Sequence, residues 1–344
     1  MKNLLLFTFL ISIFNLTAQD LIAVQNGNDP TFYTDLSEAI EGSVAGDTLY
    51  IPGRNYVVND TINKPIHLIG TGINPNYTQA TGITTVASSS IVLPQLVLGE
   101  NADGGSITGI FFTTNYYNGN PYNNITVESG ADVSNFLIDR SYFGSNVGGK
   151  FSNSLIKQNI FRHRNNFNAQ DGNSLISNNI FCDRGNTFTN CKVANNIFLV
   201  SAQYYEAIDA SNSIIENNIL PANYAFDYLN NCNIRNNVNT SNGVSGSIIR
   251  NGNFNDSADL TTVFSSYSSI SDAVNQSADF HLPDNSPYKN GGSDGNDIGI
   301  YGGRYPWKDG SVPFNPHIVS KNISGTTDEN GDLPIEIEVE AQQN

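Results

Sequence analysis

Ser152-Asn-Ser-Leu-Ile-Lys-Gln-Asn-Ile-Phe161 and Gly172-Asn-Ser-Leu-Ile-Ser-Asn-Asn-Ile-Phe181 are two copies of one phrase. It returns as Thr189-Asn-Cys-Lys-Val-Ala-Asn-Asn-Ile-Phe198, as Ser211-Asn-Ser-Ile-Ile-Glu-Asn-Asn-Ile-Leu220, and in worn form as Asn230-Asn-Cys-Asn-Ile-Arg-Asn-Asn-Val-Asn239. The closing residues step by 20, 17, 22 and 19 positions, and an earlier copy, Phe136-Leu-Ile-Asp-Arg-Ser-Tyr-Phe143, ends 18 before Phe161. A period near twenty with elastic spacing marks a solenoid whose coils carry loops of variable length.

The slot of Ile156, Ile176, Val193, Ile215 and Ile234 is always aliphatic, and so is the slot four later, Ile160, Ile180, Ile197, Ile219 and Val238. The slot of Leu155 admits Lys192 and Asn233, so it faces water. This is the alternation of short strands, with both aliphatic slots expected on the buried side. Between them lies a turn ending in Asn159, Asn179, Asn196, Asn218 and Asn237. Asparagine tolerates left-handed backbone angles, and its amide can bond to identical amides in the coils above and below. Short strands joined by a tight Asn turn and stacked about 4.8 Å apart describe a parallel β-helix.

Near the start, Lys2, the apolar run Leu4 to Phe14 and Asn15-Leu-Thr-Ala-Gln19 predict an export signal over residues 1–19. The run is too short to span a bilayer comfortably. A secreted or cell-surface protein is therefore expected, with no transmembrane segment. Losing Lys2 takes the formal charge from −16 to −17. So acidic a chain offers little to a phosphate backbone, which argues against nucleic acid as a partner. Cys191 and Cys232 share the slot of Ser154, Ser174 and Ser213. They stand two coils apart, roughly 9.6 Å at the usual strand spacing, beyond disulfide reach. A Cys182–Cys191 link stays open, with small buried thiols preferred.

Upstream, Asp35 or Thr34 is placed to cap a short helix whose Leu36, Ala39 and Ile40 share one face. Such a helix would cover the open end of the stack. Gly46-Asp-Thr-Leu-Tyr-Ile-Pro52 and Lys64-Pro-Ile-His-Leu-Ile-Gly-Thr-Gly72 follow as strands ending in turns. This opening resembles that of secreted pectin-lyase-like, right-handed β-helix proteins. The resemblance implies the right-handed sense, in agreement with the handedness of parallel connections. Asp279-Phe-His-Leu-Pro-Asp-Asn-Ser-Pro-Tyr-Lys-Asn-Gly-Gly292, Asp294 to Gly303 and Tyr305-Pro-Trp307 are similar to the terminal segment of Bacteroidetes members. Their Gly and Pro density predicts a tight wrap over the final coil. Beyond it, Ile335, Ile337 and Val339 alternate with Glu336, Glu338 and Glu340 after the turn Asp328-Glu-Asn-Gly-Asp332, which predicts a hairpin. The expected organisation is a signal over 1–19, a β-helix domain over 20–305, and a wrap and hairpin tail over 306–344.

In a β-helix, equal slots of successive coils lie side by side. Aligning the repeats puts His163 over Asp183 and Arg164 over Arg184, with Arg162 beside them and Arg140 and Lys157 one or two coils away. Stacked guanidiniums could clamp a uronate carboxylate, and His163 oriented by Asp183 could move the adjacent proton. These are the parts of a β-elimination. A second candidate is acidic: Asp209 and Asp227 on matching strands, with Glu206 nearby, in the manner of carboxylate-based hydrolases or of lyases that hold Ca²⁺. The compact Asn-Thr-Asp, Asp-Asp and Gly-His-Gly motifs of the pectin-degrading members are missing from the sequence. The four His lack metal-ligand spacing, so neither a metal nor another cofactor is assigned. A third candidate is aromatic: Tyr116, Tyr117, Tyr122, Tyr204, Tyr205, Tyr224 and Tyr228, which could stack on sugar rings.

Taken together, the expected protein is an all-β, monomeric, right-handed parallel β-helix with an N-terminal capping helix and a C-terminal β-hairpin appendage. Its expected role is to present a glycan- or envelope-binding face without catalysis. The alternative is a polysaccharide lyase or hydrolase acting on uronic-acid-containing glycans.

Overall fold

The computed structural model describes residues 21–341 apart from 91, 118–119, 171, 201–206, 223–224, 240–247 and 255–257. Residues 1–19, where the export signal is expected, lie outside the described residues. The chain coils into a right-handed parallel β-helix whose turns contribute strands to three long sheets of twelve, seven and nine strands.

One coil explains the rest. Leu155–Lys157 joins the first sheet, Gln158 and Asn159 make the turn, Ile160–Phe161 joins the second sheet, and Asn166–Asn168 joins the third. The next coil begins at Ser174–Ser177 and pairs in parallel, Ile156 on Ile176 and Phe161 on Phe181. The register then carries Ile176 onto Val193, Ile215 and Ile234. These side chains form a column inside the coil, each 0% exposed.

The turn works through its two residues separately. Gln158, Asn178, Asn195, Asn217 and Asn236 have φ between 52° and 56°, in the left-handed region that asparagine enters most readily among side-chain-bearing residues. The residue after each is buried and builds a ladder. Asn159 Nδ2 donates to Asn179 Oδ1 at 3.0 Å, Asn179 to Asn196 at 3.0 Å, Asn196 to Asn218 at 3.0 Å, and Asn218 to Asn237 at 2.9 Å. Each amide also satisfies backbone groups of its neighbours: Asn196 Nδ2 reaches Ile176 O, and Asn196 Oδ1 accepts from Asn179 N. The buried bend thus leaves no orphaned donors along this line.

The second aliphatic slot does not face the interior as expected. Strand neighbours point to opposite faces, and in Ile160-Phe161 the ring takes the inside. Phe112, Phe143, Phe161, Phe181 and Phe198 stack in one interior column with centroids 4.7–5.2 Å apart. Phe167 and Phe188 meet Phe161 and Phe181 edge-on from the third sheet. Ile160, Ile180, Ile197, Ile219 and Val238 point outward, and they are buried because the C-terminal part of the chain covers them.

That cover comprises two short helices and a strap. At the N-terminal end, α1 (Leu36–Gly42) buries Leu36, Ala39 and Ile40, with Asp35 Oδ1 capping Ser37 N and Glu38 N. Later, α2 (Leu260–Val263) and α3 (Ile270–Val274) lead into Phe280, Leu282, Tyr288, Ile298 and Ile300, which pack on the outward isoleucines. The wrap therefore extends well beyond the final coil. It runs back along six turns, held by the left-handed residues: Asn236 donates to Gly291 O, Asn178 to Ile300 O and Gly302 O, Gln158 to Pro306 O, and Arg140 to Val312 O. Asn195 reaches Gly299 O, and Asn217 Oδ1 accepts from Ser293 N. The physical reason is mutual need. The outward Ile slot must leave water, and the strap's carbonyls need donors. The hairpin is present, His317–Ile323 antiparallel to Ile335–Glu340, with Ile335, Ile337 and Val339 more than half exposed.

Candidate functional site

The corner between the second and third sheets carries the expected His-Arg cluster. Its register is pinned from both ends. Phe161 pairs with Phe181, and Asn165 Nδ2 donates to Asn186 Oδ1 at 3.0 Å. The same amides hold the loop backbone, Asn165 Nδ2 to His163 O and Asn186 Nδ2 to Asp183 O. His163 and Asp183 consequently meet, Nδ1 to Oδ2 at 3.3 Å, with the imidazole mostly buried. Burial pushes the Asp183 carboxyl up, but the His163 hydrogen bond, the Arg184 N–H and the charges of His163 and Arg164 outweigh it and hold it below its ordinary value.

The arginines around this pair diverge. Arg162 lies with Asp183 and Cys182 in a cavity of about 320 Å³ beside α3. Arg164 lines a separate groove of about 370 Å³ on the outer face of the third sheet. Neither His163 nor Arg184 lines either space. Arg140 and Lys157 do not belong with this cluster. They sit at the corner between the first and second sheets, by the strap, where Lys157 Nζ is 2.7 Å from Asp139 and the Arg140 guanidinium lies 3.5 Å from the Phe314 ring centre.

The groove over the third sheet is polar and nearly uncharged. Its floor follows one register column, Thr126 on Gly148, Asn166, Thr187 and then Asp209, with Asn123 and Asn146 along one side. Gly149 beside it has φ 144°, and a Cβ there would come within 2.5 Å of Val127 Cβ, so this position requires glycine. Tyr122 adjoins Asn123 and is exposed. The acidic candidate lies further along the same sheet. Ile208 pairs with Phe226 as expected, but a bulge follows, so Asp209 faces the extra residue and does not stack one-to-one on Asp227. Asp209 Oδ1 instead accepts from Tyr228 N at 3.2 Å. Tyr204, Tyr205, Glu206 and Tyr224 lie outside the described residues, as do the side chains of Tyr116 and Tyr117.

Sequence reasoning missed one cavity altogether. Between the strap and the outward isoleucines is a space of about 260 Å³ lined by Tyr77, Asp279, His281, Tyr301, Trp307 and Asp309. Only the presence of the single tryptophan within an otherwise structural segment could have drawn attention to it.

Among the described residues no three His, Cys, Asp or Glu side chains converge to hold a metal. No helix among them is long and apolar enough to cross a membrane. Comparison with known proteins finds no family model and no curated protein that matches the chain.

Proposed function

We propose that this chain is an extracellular or cell-surface β-helix protein of the pectin-lyase-like kind that holds a glycan along its third sheet without cleaving it. The observation that carries this reading is the groove around Thr126, Gly148, Asn166 and Thr187, open and lined by amides and hydroxyls. Such groups hydrogen-bond sugar hydroxyls while the bare glycine backbone allows a ring to approach closely. From Thr126 through Asp209 the column advances four strands, about 19 Å at the usual spacing, enough for several sugar units. Arg164 at its edge suits an occasional carboxylate. The export-signal reading of residues 1–19 supports the location, and the wording of residues 279–307 supports the Bacteroidetes type.

The lyase reading draws on a specific observation as well, the contact between His163 and Asp183. It is the weaker of the two because that pair is not in the groove that holds Arg164, and a proton abstractor must reach the sugar whose carboxylate is clamped. Incubation with pectins, alginates and glycosaminoglycans, followed by absorbance of newly formed double bonds, separates the two. Binding on a glycan array that falls on Arg164→Ala or Asn166→Ala, with no absorbance change, supports the binding role. A robust unsaturated product lost in His163→Ala overturns it.

A further inference from the structure

The cavity under the strap is built from four separate stretches of chain, around residues 74–77, 276–281, 301 and 307–311. Its floor is the outward wall of the second sheet, Ile160 and Ile180. At about 260 Å³ it falls just below the range of pockets that take drug-sized ligands, so it suits a group of a few heavy atoms.

Its walls combine π-faces with carboxylates. His281 stacks on the Tyr301 ring with centroids 3.8 Å apart and planes 17° from parallel. The Tyr301 hydroxyl donates to Asp309 Oδ1 at 2.7 Å, and His281 Nδ1 lies 2.7 Å from Asp279 Oδ1. Each aspartate therefore has one oxygen engaged, and among the described residues Oδ2 of each accepts no hydrogen bond. Trp307 and Tyr77 add two further rings, and no Lys or Arg lines the space. An anion would meet two carboxylates there. Two separate carboxylates are too few for a metal centre, since no three His, Cys, Asp or Glu side chains among the described residues converge to hold an ion. A weakly hydrated organic cation gains from both kinds of wall, since aromatic rings such as those of Trp307 and Tyr77 attract cations and the Asp309 carboxylate supplies countercharge.

We propose that this cavity is a binding site for a small organic ammonium group, on a ligand whose remaining atoms leave through the opening beside Tyr77 and Asp309. The proposal is independent of the glycan reading, because the groove of the third sheet lies on a different wall of the solenoid.

Trp307 is the only tryptophan in the chain, so intrinsic fluorescence reports on the cavity directly. The probes are choline and tetramethylammonium, compared with 3,3-dimethylbutan-1-ol, which has choline's shape without its charge, and with sodium chloride at equal ionic strength. The expected result is a saturable change with both cations and at least tenfold weaker response to the alcohol. Asp309→Asn keeps an acceptor for Tyr301 and removes the charge, and it should weaken choline about tenfold. Equal response to alcohol and choline would overturn the proposal by showing an apolar cavity only. A cation response no different from that to sodium chloride would overturn it too, as would tighter binding of glucose than of choline. The alcohol comparison uses the wild-type protein, so it decides the matter even if Asp309→Asn folds poorly.

Discussion

The second and third sheets belong to the same coils, yet their outer walls have opposite fates. On the second, Ile160, Ile180 and Ile197 point outward and are covered by the strap. On the third, Gly148, Asn166 and Thr187 point outward and remain open as the floor of a groove. Both walls rest on one continuous interior of stacked phenylalanines. The difference teaches that a β-helix is specified twice over. One set of positions closes the coil, and a second set decides which wall is roofed by the strap and which stays open.

The sharpest way to break this distinction is to place a charge on each wall. Ile197→Asp puts an unpaired carboxylate under the strap and should cost about 4 kcal/mol or more. Asn166→Asp on the open wall should stay within about 0.5 kcal/mol. Urea unfolding followed by circular dichroism measures both, and comparable losses at the two sites would show that the third-sheet wall is covered as well.

The two neighbours in a single turn offer a finer test. Asn196 is buried and bonded to Asn218, Ile176 O and Asn179 N, so Asn196→Ala strands several buried groups and should cost about 3 kcal/mol. Asn195 reaches out to the strap at Gly299 O and holds φ 56°, so Asn195→Ala should cost about 1–2 kcal/mol, through left-handed strain and a lost strap contact. A larger effect at Asn195 than at Asn196 would make the strap, and not the ladder, the principal fastening of the coil.

Much of this was legible in the sequence. The period, the Asn ladder, the capping helix with Asp35 and the hairpin all follow from local pattern, because each coil solves the same problem with nearly the same residues. The orientation of the Ile-Phe pair differs from the sequence expectation, with Phe161 inside and Ile160 outside. Two consecutive apolar residues in a two-residue strand mean that both faces are buried, a signal that was present at 160–161, 180–181 and 197–198. Its partner, the segment from 258 to 313, has no period of its own and so could not be matched to it. The site shows the same division. The contact of His163 with Asp183 was readable because Phe161 and Phe181 set the count, whereas the parting of Arg162 from Arg164 depends on how a corner bends. The bulge after Asp209 and the cavity at Trp307 depend on pairing and on long-range closure, which no local window contains.

A charged group on the first sheet gives a smaller, pH-dependent test of the strap. Glu216 is bonded to Lys192 at 2.7 Å and to Arg235, and Ser293 of the strap lies beside it. Burial pushes its carboxyl up, but Lys192 and Arg235 outweigh that and hold it below its ordinary value near 4.5. A depressed folded pKa contributes stability above the unfolded value, and this contribution is lost as pH falls below about 4.5 toward the folded value. Glu216→Gln should therefore flatten the acid limb of stability against pH in that window while lowering stability at neutral pH. An unchanged acid limb would assign the acid sensitivity to other carboxylates.

The smallest effect is kinetic and asks whether the covered wall opens on its own. Cys182, Cys191 and Cys232 are all buried and unpaired in disulfides. Burial pushes the Cys182 thiol up to about 12, with Arg162 opposing and Asp183 adding, and burial likewise takes Cys191 up to about 12. Only the thiolate reacts with an alkylating reagent, so labelling of the native protein should be slow at both. Their surroundings nevertheless differ: Cys182 belongs to the outer layer under α3, and Cys191 to the interior of the coil. If the cover lifts as a local unit, Cys182 should label at low urea with a shallow urea dependence, and Cys191 only with the steep dependence of global unfolding. Mass-spectrometric counting of alkylated peptides distinguishes the two sites. Identical urea dependences would mean that strap and solenoid open as one body, so that the covered wall is as integral to the fold as the phenylalanine column behind it.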